Sequence, residues 1–218
     1  AFTHMKIILL VATLFSIQTA FSSEFDRTLE LANNGNTVAQ SNLGVMYGNG
    51  LGVAKNAKEA VKWYRKAAEQ GDVLAQSNLA FMYANGHGVA ENDAVAVNWY
   101  RKAAEQGGAD GQHSLGVMYA NGEGVPENDV EAVKWYRKAA EQGDAGAQSN
   151  LGSMYAKGDG VAEDKLNAYV WWSVAKAQGD PSAIKNIETF MPRMTAQQIA
   201  DSQALAAKCY SSGYRDCD

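Results

Sequence analysis

The stretch Ser182-Ala183-Ile184-Lys185 places a lysine amine one helical turn after a serine hydroxyl. In penicillin-recognising serine enzymes, a Ser-x-x-Lys motif supplies the nucleophile, and the motifs Ser-Asp-Asn and Lys-Thr-Gly supply its companion groups. Neither companion motif occurs in this chain. The stretch is therefore better explained as the first turn of a helix, and action on β-lactams or peptidoglycan is kept only as an alternative.

The other residues capable of catalysis or metal binding are scattered. His4, His87 and His113 have no second histidine or cysteine close to them in sequence, so we predict no catalytic residue, no metal site and no cofactor. Cys209 and Cys217 are close to each other and predict a disulfide, which would remove about 2.5 kcal/mol of unfolded-chain entropy. Two free thiols are the alternative.

The N-terminus has the pattern of a secretory signal peptide. Met5 and Lys6 precede an apolar run over residues 7–15, and Ala20 and Ser22 occupy the −3 and −1 positions of a cleavage site. The run is shorter than the roughly 18 apolar residues that a membrane span needs. An uncleaved anchor or a buried helix are the alternatives. Residues 1–4 are interpreted as a vector remnant or a misplaced start, and the leader is taken as residues 1–22.

A pattern of 36 residues recurs along the chain and decides its organisation. The phrase WYRKAAEQGD begins at Trp63, returns at Trp135, and returns with one change at Trp99. A fixed period of this length is typical of solenoids and propellers. The leucine column of the pattern is Leu43, Leu79, Leu115 and Leu151, and the tryptophan column is Trp63, Trp99, Trp135 and Trp171.

Each repeat contains two helical patterns and no alternating run. Residues 39–47 and 60–70 both place apolar side chains on one face of a helix. Polar residues with short side chains are placed to cap the second helices, and glycines are placed to end them in a left-handed conformation. The predicted caps are Asn56, Asn92, Asn128 and Asp164, and the terminating glycines are Gly71, Gly107, Gly143 and Gly179.

The recurring pattern A-x-x-x-L-G-x-M-Y-x-x-G-x-G-V, followed by A-x-x-W-Y-x-K-A-A-x-Q-G-D, resembles the Sel-one-like repeat (SLR) family of the tetratricopeptide-like superfamily. The resemblance implies an all-α fold, namely a right-handed superhelical solenoid of helix–turn–helix repeats. It also implies a non-catalytic adaptor that binds a protein or peptide partner in a concave groove. Known members act in envelope maintenance, signalling or host contact, and cysteine-rich relatives underlie the β-lactamase alternative.

The domain organisation follows from this register. We predict an N-terminal capping helix over residues 23–35, four repeats over 36–178, and C-terminal capping helices over 179–218 that include a last helix from Thr195 to Cys209. A net charge of −5 argues against nucleic acid as a partner. Together with the leader and the cysteines, the pattern predicts a periplasmic or secreted monomer that does not insert into a membrane once the leader is cleaved.

In arrays of this type the first helix of each hairpin lines the concave side, and residues opposite its Leu/Met/Tyr stripe face a partner. Solvated residues without a partner, and a spacer that binds nothing, are the alternatives. The candidate partner-binding residues are Ser41, Asn42, Asn49, Ser77, Asn78, Phe81, Asn85, His113, Ser114, Asn121, Asn150, Ser153 and Lys157.

The second helices carry two further columns that could bind a ligand. A basic row that includes Lys62, Arg65 and Lys66 is interpreted as a solvated face whose arginines pair with glutamates four residues on, with an anionic partner as the alternative. The Trp and Tyr columns are interpreted as core, with a stacking platform for sugars or bases as the alternative.

Overall fold

A computed structural model describes residues 24–217, so the predicted leader lies outside the described residues. The described chain divides into two compact units, residues 24–92 and residues 93–217. Both are built from helices that pack as successive hairpins, and the described residues contain no strand. The predicted all-α repeat fold is confirmed.

The first unit contains four helices. Helix α1 covers residues 24–33 of the described chain. It is followed by α2 (Thr37–Asn49), α3 (Ala57–Glu69) and α4 (Val73–Ala84). Ala32 of α1 packs with Leu43 and Met46 of α2 and Trp63 of α3 in one apolar cluster, so α1 covers the apolar side of the first hairpin.

The second unit continues the same alternation and then ends it. One apolar core runs from α7 to the C-terminus and includes Leu151, Trp171 and Ile187. The elements are α5 (Asp93–Glu105), α6 (Ala109–Asn121), α7 (Asp129–Ala140), α8 (Ala145–Lys157), α9 (Lys165–Ala177), α10 (Pro181–Phe190), the 3-10 turn η1 (Met191–Arg193) and α11 (Ala196–Ser211).

Short polar side chains start these helices as the sequence indicates. The Asn56 side chain accepts from the backbone amides of Lys58 and Glu59, and Asp72 accepts from the amide of Ala75. At the other end of α3, Gly71 has a φ of 93°, the left-handed conformation in which glycine is favoured. Each hairpin is therefore delimited by local hydrogen bonds that satisfy otherwise unpaired helix ends.

Glycines also allow the two helices of a hairpin to approach closely. A Cβ at Gly44 would lie 2.3 Å from Cδ1 of Tyr64, so the tyrosine ring packs directly on the backbone of α2. In the interhelical loop, a Cβ at Gly88 would lie 2.4 Å from the carbonyl carbon of Ala57. The loop glycine therefore sets the contact between one hairpin and the start of the second helix of the hairpin before it.

A buried glutamine forms hydrogen bonds between successive hairpins. The amide of Gln40 donates to the carbonyl of Ala32 at 3.1 Å, and that of Gln148 donates to the carbonyl of Ala140 at 3.0 Å. The Gln148 side-chain oxygen accepts from Gln178 at 2.8 Å. These carbonyls lie in the last turn of a helix and also accept from the amides of Gly35 and Gly143, so the glutamine adds a second hydrogen bond at each.

The Trp column forms the core, as predicted, with one exception. Trp63, Trp135 and Trp171 are buried, whereas Trp99 is half-buried. In the Tyr column, Tyr155 is buried but Tyr47, Tyr83 and Tyr119 are half-buried. Lys66 lies over the ring of Trp63 with Nζ 4.1 Å from the ring centroid. Part of the basic row therefore covers the aromatic column through cation–π contacts.

Arginines of the basic row bind tyrosines on the next first helix. Arg65 donates to the Tyr83 hydroxyl at 2.6 Å, and Arg101 donates to the Tyr119 hydroxyl at 3.1 Å. The sequence predicted glutamate partners one turn along the same helix. The structure instead uses these arginines to bridge neighbouring helices in each unit.

The C-terminal end is closed by α11 and a disulfide. Thr195 and Gln198 form a capping box, and α11 extends to Ser211, two residues beyond the predicted end at Cys209. Cys209 and Cys217 are bonded to each other and both are buried. Among residues 24–217, none of the helices has the length and apolar character that crossing a membrane requires.

Candidate partner-binding surface

The predicted partner-binding residues lie on the first helices of the hairpins or, for Asn85, directly after one. Asn42, Asn49 and Asn121 are exposed, and Lys157 is exposed at the end of α8. The partly exposed members of the set are Asn78, His113, Ser114, Asn150 and Ser153.

Two of the predicted residues are not available to a partner. Ser41 and Ser77 are 3% and 8% exposed, so the prediction that they face the solvent is wrong. The hydroxyl of Ser41 donates to Asp72 at 3.0 Å, which explains its position. Ser41 therefore supports Asp72, the N-terminal cap of α4.

In the first unit, α2, α4 and the loop after α4 enclose a cleft of about 560 Å³, called here the Phe81 groove. Phe81 is 48% exposed, and its ring meets that of His87 edge-on at 5.6 Å. The lining residues are Gly48, Asn49, Lys55, Ala57, Tyr64, Asn78, Phe81, Met82, Gly86, His87 and Gly88.

Polar groups accompany the apolar ring of the Phe81 groove. Asn49 and Asn78 offer side-chain amides that can both donate and accept hydrogen bonds. Burial raises the pKa of Tyr64 to about 12, so its hydroxyl remains neutral at physiological pH. The groove therefore combines an exposed aromatic anchor with groups that suit a peptide backbone.

In the second unit, His113 is held by two polar neighbours. Its Nδ1 lies 3.1 Å from Oδ1 of Asp144, and its Nε2 lies 3.1 Å from Nδ2 of Asn150. Burial raises the pKa of Asp144, but hydrogen bonds from His113 and the amides of Ala147 and Gly146 outweigh burial and lower it below the usual value. His113 is therefore fixed between helices rather than free to contact a partner.

The second unit also contains a cleft, of about 330 Å³, which is formed by α8, α9, α10 and η1 and is called here the Lys185 groove. Trp172 and Phe190 meet edge-on at 5.2 Å on its apolar side, and Asn186 donates to the hydroxyl of Ser153 at 3.3 Å. The lining residues are Ser153, Ala156, Lys157, Trp172, Lys185, Asn186, Thr189, Phe190 and Arg193.

Sequence reasoning placed Ser153 and Lys157 in the candidate site but missed their neighbours on α10. The signal that could have found them is the 36-residue spacing of the repeat. Lys185, Asn186, Thr189 and Arg193 each follow a predicted column by 36 residues, after Ser149, Asn150, Ser153 and Lys157. Extending the columns into the C-terminal cap would have found all four.

The groups considered for chemistry do not assemble. Ser182 and Lys185 are exposed in the first half of α10, and Ser182 does not line the Lys185 groove. Within residues 24–217, no group of three or more His, Cys, Asp or Glu side chains could hold a metal ion. The clefts of the described chain are lined mostly by amides, cations and apolar side chains.

Comparisons with known proteins agree with this architecture. No curated protein matches the chain. A protective antigen of uropathogenic Escherichia coli with an SLR fold is 36% identical, covering 87% of this chain and 41% of the antigen, with a TM-score of 0.82. The chain thus spans well under half of that antigen.

A Sel1 repeat protein from Oxalobacter formigenes is 38% identical, covering 80% of this chain and 72% of that protein, with a TM-score of 0.70. The family description "Sel1 repeat" matches four consecutive segments, residues 37–72, 73–108, 109–144 and 145–180. These segments make up more than half of the chain, and it therefore belongs to the Sel1 repeat family.

Proposed function

We propose that this protein is a non-catalytic scaffold that binds a partner protein or peptide through the first helices of its hairpins. The observation that supports the proposal best is the exposed ring of Phe81 in a cleft lined by Asn49 and Asn78. Aromatic anchors in pockets with polar rims are typical of energetically important positions in protein interfaces. Membership of a repeat family used for protein interactions supports the same function.

The proposal is tested by crosslinking the protein to its partners in envelope extracts and comparing variants. We expect Phe81→Ala to lose a crosslinked partner that the unaltered protein retains. Val130→Ala is the matched control, because Val130 is a 65% exposed apolar residue on α7, a second helix. If Phe81→Ala keeps every partner while folding normally by circular dichroism, the Phe81 groove is not the binding surface.

The setting proposed for this function is the periplasm or the extracellular space, with the protein acting as a monomer after removal of the leader. The disulfide between the buried Cys209 and Cys217 supports this setting, since such bonds persist in oxidising compartments. The similarity to a protective antigen also supports export. A mature chain that starts near residue 23 in the periplasmic fraction, and a monomeric mass in solution, are the expected results.

The absence of catalysis is part of the proposal and has its own test. Hydrolysis of nitrocefin by the purified protein, abolished by Ser182→Ala, would contradict a purely binding role. We expect no turnover above that of the Ser182→Ala variant, because the exposed Ser182 lies in the first turn of α10 and outside the Lys185 groove.

A further inference from the structure

We infer that the Lys185 groove binds an acidic segment of a partner protein, in which side-chain carboxylates flank one apolar residue. The inference rests on the proposed function, because it takes the ligand to be part of a protein. It adds a second site, in the other unit from the Phe81 groove, and a chemistry for its ligand.

The charge of the groove is opposite to that of the whole chain. The chain has a net charge of −5, yet Lys157, Lys185 and Arg193 line the groove and none of the nine lining residues is acidic. Clustered cations in a cleft attract anions and raise their local concentration. The groove therefore fits a ligand that carries negative charge.

The cations of the groove are poorly neutralised by the protein itself. Lys157 lies 3.9 Å from Asp159, and both side chains are largely exposed, so this pair is weak. Arg193 approaches the ring of Phe190, with its guanidinium carbon 5.9 Å from the ring centroid. Lys185 is exposed on the middle of α10. Charge is thus available to a ligand from α8, α10 and η1.

The spacing of the cations favours several carboxylates over one. Lys185 and Arg193 are eight positions apart, and the backbone stays in the right-handed helical region through Phe190 and Met191. At about 1.5 Å per α-helical residue and about 2.0 Å per 3-10 residue, their Cα atoms lie about 13 Å apart along the chain. Two acidic side chains of an extended peptide can contact both cations at once, whereas one carboxylate would need both long side chains to fold toward it.

The apolar side of the groove fits one side chain between these charges. The buried rings of Trp172 and Phe190 line the groove together with the small side chain of Ala156. The volume of about 330 Å³ is near the lower end of ligand pockets, which run from about 300 to 1,000 Å³. The polar edge formed by Ser153 and Asn186 can bind the peptide backbone on one side.

The test is an NMR titration of the ¹⁵N-labelled full chain with the peptide Glu-Asp-Phe-Asp-Glu, blocked at both ends. We expect shifts at the Trp172 indole and along α10, with binding weakened about three- to fivefold by Lys185→Gln and by Arg193→Gln. The matched control is Lys176→Gln, which removes the same charge from an exposed position of α9 outside the groove and leaves binding unchanged. Added salt should weaken binding.

Comparison ligands separate this inference from its rivals. The uncharged peptide Gln-Asn-Phe-Asn-Gln and the anchorless peptide Glu-Asp-Ala-Asp-Glu should both bind more weakly. The inference is overturned by equal binding of the uncharged peptide, by a requirement for a free terminal carboxylate, by preference for anionic phospholipid vesicles, or by no shifts at about 1 mM peptide. If binding is absent but Phe81-dependent crosslinking persists, the inference fails and the proposed function stands.

Discussion

The Nδ1 atom of His113 lies 3.1 Å from the Oδ1 atom of Asp144, the residue that caps α8. Two repeats earlier in the sequence, Ser41 makes the equivalent contact with Asp72, the residue that caps α4. The imidazole fits because residue 146 is glycine: a Cβ there would lie 2.5 Å from Cε1 of His113. The capping residue Asp72 is thus supported by the Ser41 hydroxyl in the first unit, and the equivalent Asp144 is supported by the His113 imidazole in the second.

This relationship predicts the titration of Asp144. Its carboxyl has a lowered pKa, to which the hydrogen bond from His113 contributes, so His113→Ala should raise the pKa of Asp144 towards the usual value of about 3.9. Carboxyl ¹³C NMR measures the change. His87→Ala, which removes an exposed histidine of the first unit, is the control. An unchanged Asp144 titration in His113→Ala would contradict the assignment.

The same lowered pKa sets the sign of a stability change with pH. A carboxylate with a depressed folded-state pKa stabilises the fold above its unfolded pKa, and that contribution is lost as the pH falls through the folded pKa. Asp144→Asn keeps a capping side chain but removes the charge. The difference in the free energy of unfolding between wild type and Asp144→Asn should therefore be full above about pH 4 and shrink below it, as urea denaturation at several pH values would show.

Two glycines of α2 provide a matched pair for the packing of the hairpin. Gly44→Ala should destabilise the fold by about 1–3 kcal/mol, because its Cβ would lie 2.3 Å from the Tyr64 ring. Gly48→Ala should stabilise it by up to about 1 kcal/mol, because its Cβ would lie 3.9 Å from the nearest atoms and alanine favours a helix. Urea denaturation measures both, and equal effects would contradict the close approach of Tyr64 to α2.

The period of 36 residues was enough to predict the helices, their caps and their core. These features depend on local hydrogen bonds and on which side chains share a helix face, and both can be read from spacing. The caps at Asn56 and Asp164 are confirmed for this reason.

Burial of individual columns was harder to predict, because it depends on how closely the next hairpin approaches. Ser41 and Ser77 were predicted to face the solvent, but both are buried, and the Ser41 hydroxyl donates to Asp72. Trp99 shows the opposite effect, since it is half-buried in a column that is otherwise core. Helical periodicity gives the direction of a side chain around its own helix but not the distance to the neighbouring one.

The columns of the candidate site were predicted only as far as Lys157, but their 36-residue spacing continues into α10 and η1. Lys185 entered the prediction only as part of a Ser-x-x-Lys motif, although it continues the column of Ser41, Ser77, His113 and Ser149. The C-terminal cap was interpreted as a stop to further stacking. The structure shows that α10 also lines a groove, so a helix that ends an array can still continue the candidate columns of its repeats.

The glutamine column gives a further prediction, on stability. Gln148 is fully buried, donates to the carbonyl of Ala140 and accepts from Gln178. Gln148→Leu removes both hydrogen bonds, to Ala140 and from Gln178, and should lower the free energy of unfolding by about 1–3 kcal/mol. Gln178→Ala should cost less, because Gln178 is exposed and water can replace it at Gln148. A double-mutant cycle from urea denaturation measures the coupling, and additive effects would contradict a shared hydrogen-bond network.

The adjacent residues Trp171 and Trp172 give the last prediction. Both are buried, but Nε1 of Trp172 donates to the carbonyl of Ser149 at 3.0 Å, whereas Nε1 of Trp171 has no acceptor among the described residues. Replacement by phenylalanine removes similar volume at both positions but breaks a hydrogen bond only at Trp172. The Ser149 carbonyl still accepts from the Ser153 hydroxyl in that variant, so the loss is one hydrogen bond. Trp172→Phe should therefore destabilise the fold by about 0.5–1.5 kcal/mol more than Trp171→Phe in urea denaturation. Equal losses would mean that the Trp172 bond adds nothing beyond packing, and the aromatic column would then stabilise the array through apolar burial alone.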